Sequence, residues 1–77
     1  MTEAIEIQSI IDQAYEYKRR LEYGKAHECF LSAIEALITL MKSNQDQEKA
    51  ETLKKVTNDL LDQAEYCKLQ LNPAEAP

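Results

Sequence analysis

The chemically most capable side chains in this 77-residue sequence are one histidine, His27, two cysteines, Cys29 and Cys67, and fourteen carboxylates. Their spacing does not assemble a reaction centre. His27 and Cys29 are two residues apart, so on a helix they project about 200° from each other and cannot grip one ion together. There is no Cys-x-x-Cys, Gly-x-Gly-x-x-Gly, phosphate loop or His-Glu-x-x-His pattern. A chain this short builds only a small core and no large enclosed cleft. No catalytic residue, no metal ligand and no cofactor is therefore expected. An enzyme enters this reading only if this chain is the targeting domain of a larger enzyme. The carboxylates read as solvated helix faces and His27 as a surface or boundary residue. The two thiols read as reduced, buried small hydrophobes.

What remains is binding. The formal net charge is -5 and the pI about 4.8. Such a surface repels phosphate backbones and anionic headgroups, which argues against nucleic acid and against direct membrane insertion. A partner carrying Lys or Arg fits better, although mild acidity also serves solubility alone. No apolar run approaches the ~20 residues that span a bilayer. The opening Met-Thr-Glu-Ala-Ile-Glu-Ile lacks the basic and apolar regions of a secretory signal. A cytoplasmic location is expected.

The elements that would position a binding face are helices. Gly24 is the only glycine, and Pro73 and Pro77 both lie near the end, so some seventy residues are nearly free of breakers. Period-3.6 patterning separates three amphipathic segments. The first runs from about Glu3 to Leu21, with Thr2 as a possible cap. Ile7, Ile10, Ile11, Ala14, Tyr17 and Leu21 share one face, and Lys18, Arg19 and Arg20 suit the negative end of the dipole. Gly24 is expected to let the chain reverse. The second segment, about Lys25 to Lys42, has an apolar arc wide enough to touch two neighbours. The third starts after Asn44 or Asp46 as N-cap and continues to Leu71, before Asn72-Pro73. Its seam is Leu53, Val56, Leu60, Ala64, Cys67 and Leu71. The fold expected is all-α, an antiparallel up-down-up three-helix bundle over residues 1–72. Residues 73–77 read as a disordered tail or the start of a linker.

One residue departs from the third seam. Leu61 sits roughly 90° from its centre, on the shoulder beside a neighbouring helix. Thr57, Glu65 and Lys68 follow the same shoulder, and Asp62 lies just beyond. An apolar knob flanked by carboxylates suits an amphipathic peptide helix with leucines and a basic residue. Packing of Leu61 against the second helix explains the position equally well.

These residues, taken in order, resemble the MIT domain, the microtubule-interacting and trafficking module. The family's pattern of alanine, aromatic, alanine, aromatic, alanine appears as Ala14, Tyr23, Ala26, Phe30 and Ala33. Its closing signature appears as Leu61-Asp62-Gln63-Ala64-Glu65-Tyr66-Cys67-Lys68. The resemblance spans about residues 3–71. Lys18 and Gly24 replace commonly acidic residues, and His27 stands where leucine is usual. The resemblance implies an adaptor that binds C-terminal tail peptides of ESCRT-III subunits, recruited through them to endosomal or other remodelling membranes. In the groove between helices two and three, Leu61 would receive leucines while Asp62 and Glu65 pair a basic residue, with Thr57 and Lys68 alongside. An extended motif would instead use the groove between helices one and three, at Ile11 and Ala14. The resemblance further implies a monomer.

Two other readings compete. Tyr17, Ala26, Phe30 and Ala33 also match the spacing of a tetratricopeptide repeat, with Ala14 at its small position. Ile38 stands where that repeat's proline is expected, and no second copy follows. A self-associating bundle, joined through the wide arc of helix two, is the third reading.

Overall fold

In the computed structural model, which describes residues 2–43 and 46–71 and the side chains from Glu6 onward within them, the chain forms three helices. They are α1 (Thr2–Arg19), α2 (Tyr23–Ser43) and α3 (Gln47–Leu71). The expected Thr2 cap, Asn44 and the tail 73–77 lie outside the described side chains and residues. The all-α, three-helix expectation holds, and the ends of α1 and α2 need correction.

Helix α1 stops two residues before the expected Leu21. The Glu22 N–H donates to the Tyr17 carbonyl at 2.9 Å and the Leu21 N–H to the Lys18 carbonyl at 3.0 Å, the paired bonds of a Schellman ending. Leu21 occupies the left-handed position that this ending requires, with φ 65°. Its side chain leaves the α1 face for solvent, 69% exposed, so it is not a core residue. Gly24 is not the reversal point either. It lies inside α2 with no positive φ. The α2–α3 end follows expectation: Asp46 Oδ1 accepts from the Glu48 N–H at 3.0 Å and, longer, from Lys49. The Asp46 carbonyl accepts the first helical bond, from Ala50 N–H. It is the N-cap of α3.

Helix α2 is the centre. It packs extensively on both neighbours, whereas α1 and α3 approach each other only weakly. The molecule is consequently flat, 42 × 26 × 14 Å. Opposite ends of successive helices meet, as an up-down-up order requires: Gly24 lies beside Leu71, and Ile7 and Ile10 share a cleft with Leu40 and Ser43. The core gathers around Phe30, fully buried with Ala14, Ala26, Ala33 and Cys67. These small residues let three backbones close around one ring, whose burial contributes about 2–3 kcal/mol. The Tyr15 ring meets Phe30 edge-on, centroids 5.2 Å apart. Cys29 is half-buried and Cys67 buried, both free thiols. Leu71, assigned by periodicity to the seam, is 47% exposed. The residue opposite it, Gly24, has no side chain to cover it.

Candidate binding face of α2 and α3

The phase of each helix shows which edges face which neighbour. On α3, Gln63 and Tyr66 mark the edge nearest α1, because Lys18 Nζ donates to Gln63 Oε1 and lies 4.9 Å from the Tyr66 ring centroid. Leu61 is on the opposite edge. On α2, Ala36 and Leu40 mark the edge shared with α1. Leu31, Ile34 and Ile38 therefore run along the other edge, beside the Leu61 edge of α3. Ile34 is 6% exposed, whereas Leu31, Ile38 and Leu61 keep 42%, 39% and 43% of their surface. The outer seam between α2 and α3 is a shallow apolar strip. Leu31 and Ile38 extend the site beyond the residues singled out by sequence. Their signal was the wide α2 arc, which periodicity assigned to contact with two neighbouring helices.

The expected site residues divide. Leu61, Glu65 and Lys68 line this shoulder and are exposed. Asp62 is exposed too, but lies about 100° beyond Leu61, on the solvent-facing back of α3. Among the described residues the ion pairs are Arg19–Glu16, Arg20–Glu16 and Lys25–Glu22, so Glu65 and Asp62 have carboxylates free for a partner. Thr57 does not present a polar group to this surface. It is buried, and its hydroxyl donates to the Leu53 carbonyl at 2.8 Å. That back-bond satisfies the polar group and lets the side chain turn inward.

The second expected site fares differently. Ile11 is half-buried against the core, but Ala14 is fully buried and offers no surface. What stands near that seam is Tyr15, Lys18, Gln63 and Tyr66, none of them expected there. The Tyr23 ring meets Tyr66 edge-on, with centroids 6.0 Å apart. Burial first, and the neighbouring Tyr66 next, push the Tyr23 phenol above its ordinary value. Burial also raises the thiols of Cys29 and Cys67; Glu28 adds to the first shift and Lys18 partly offsets the second. Both thiols are thus protonated at neutral pH, without the thiolate character of a nucleophile. Among the described residues no three His, Cys, Asp or Glu side chains converge as metal ligands, and no helix is long and apolar enough to cross a membrane.

Comparison with protein-family models, with curated proteins and with solved structures gives no match to this chain.

Proposed function

We propose that this chain is a protein-interaction module that seats a short amphipathic helix on the outer α2/α3 seam, of the kind carried by C-terminal tails of ESCRT-III subunits. The observation that carries the reading is the strip of Leu31, Ile38 and Leu61, three large apolar side chains left about two-fifths exposed along two adjacent helices. The carboxylate of Glu65 beside it complements a basic residue on the incoming helix. The resemblance of the pattern Ala14, Tyr23, Ala26, Phe30, Ala33 to the MIT module supplies the partner class. A few leucines at ~1.5–3 kcal/mol each, less the ordering cost of a tail, give binding of about -8 kcal/mol, the micromolar scale. Several tails in a polymer would strengthen it.

The test is an amide-resolved NMR titration with ESCRT-III tail peptides. Saturable shifts along Leu31, Ile38, Leu61 and Glu65 are expected. Leu61→Asp removes them while far-UV circular dichroism stays near native, because the substituted side chain is solvent-accessible. No shift at millimolar peptide refutes the partner class, and an unfolded Leu61→Asp variant makes Leu61 core. A repeat-like or self-associating helical element is a second reading, favoured by the flat layer in which α1 and α3 both pack on α2. A monomer in sedimentation velocity removes the self-associating form.

A further inference from the structure

A second surface lies on the other side of α2, away from the seam just described. Between the start of α1 and the end of α2 is an open cleft of about 350 Å³. Its floor is Ile7, Ile10, Ala36 and Leu40. Ala36 contributes only a methyl group to that floor. The rim has an unusual polarity. The Thr39 hydroxyl donates to the Glu35 carbonyl and the Ser43 hydroxyl to the Leu40 carbonyl, each at 3.0 Å. Both protons are committed to backbone, so these oxygens face an incoming group as acceptors only. The third polar member is the Glu6 carboxylate, exposed and without an ion-pair partner among the described residues. Among the described residues that line the cleft none is cationic.

An apolar floor under an acceptor-only rim selects an apolar body with a donor-bearing, positively charged head. We infer that the α1/α2 cleft is a second docking site, for a partner segment that inserts a leucine-like side chain and places Lys or Arg one turn away, against Glu6. This site is independent of the α2/α3 seam, and either can stand without the other.

The experiment is a methyl-resolved NMR titration of the whole chain with an acetylated, amidated amphipathic helical peptide bearing leucines and one arginine a turn away. Its counterpart with glutamate for arginine is titrated alongside. Saturable shifts of the Ile7, Ile10 and Leu40 methyls are expected, at least about fivefold weaker for the glutamate peptide. Glu6→Gln weakens the arginine peptide about two- to fivefold, the scale of an exposed ion pair. Ala36→Leu fills the floor and abolishes these shifts with helicity retained. If Ala36→Leu does not fold, Glu6→Lys, at an exposed position, carries the test and must reduce binding further than Glu6→Gln. Equal binding of the two peptides overturns the inference. So do shifts confined to Leu31, Ile38 and Leu61, which would leave the α2/α3 reading intact. Methyl shifts that grow with protein concentration alone would assign the cleft to a second copy and likewise overturn it.

Discussion

The two ends of α2 are held by different physics. At its start, every aromatic side chain of the protein gathers: Phe30 with Tyr15, Tyr23 with Tyr66, and Tyr17 under Lys25. There too Lys18 crosses from α1 to Gln63 and the Tyr66 ring. That hydrogen bond joins two helices, whereas the hydroxyl and cap bonds of Thr39, Ser43, Asp46 and Thr57 are local, within four residues. At its other end, Ile7, Ile10, Leu37, Leu40, Leu53 and Val56 pack without directional contacts. Edge-on rings and a shared ammonium specify angle and distance, whereas aliphatic contact specifies only area. The less specified end is the one that carries an open cleft. Tight helix–helix geometry and an available surface are thus separated along a single helix.

The largest test of this contrast removes one residue from each end. Phe30→Ala should cost about 3–5 kcal/mol, comparable with the whole stability of a domain this small, and erase a cooperative urea transition at 25 °C. Leu40→Ala, half-buried beside an existing cleft, should cost roughly 1–2 kcal/mol and keep the transition. Equal losses would erase the distinction between the ends.

A smaller test addresses the polar tie. Lys18→Met keeps the aliphatic stem and removes the ammonium, so it should cost about 1 kcal/mol through the lost hydrogen bond and ring contact. A double-mutant cycle with Gln63→Leu, read by urea denaturation, should give coupling of about 0.5–1 kcal/mol. Zero coupling would mean that α1 is placed by packing alone.

The reach of the sequence follows the same division. The α3 seam and the Asp46 cap were legible because both are local: one is a period, the other a side chain bonding amides two and three residues on. Leu61 was legible as an anomaly of phase. Thr57 was misplaced because a small polar residue reads as surface, while its hydroxyl can be satisfied by its own helix and buried. Ala14 was misread as lining a groove, since periodicity cannot show how closely a neighbour approaches. Tyr15, Lys18 and Tyr66 were missed for a related reason. Tyr15 meets Phe30 of α2 and Lys18 meets Tyr66 of α3, contacts that depend on the register of α1 against its neighbours, which no single-helix pattern encodes.

The end of α1 was hidden most thoroughly, and it yields the smallest test. Lys18-Arg19-Arg20-Leu21 contains no breaker, and Leu21 continues the apolar period, so the pattern runs on through the turn. The chain ends the helix anyway by satisfying the Tyr17 and Lys18 carbonyls from Glu22 and Leu21. That leaves a leucine with φ 65° and 69% of its surface in water. Glycine adopts this conformation without the Cβ clash. Leu21→Gly should therefore stabilise the fold by about 0.5–1 kcal/mol, the gain being reduced by the larger entropy of the unfolded glycine chain. The urea midpoint should rise with an unchanged slope. A fall would show that the Leu21 side chain makes apolar contacts worth more than its backbone strain, and the aromatic end would then extend into the turn.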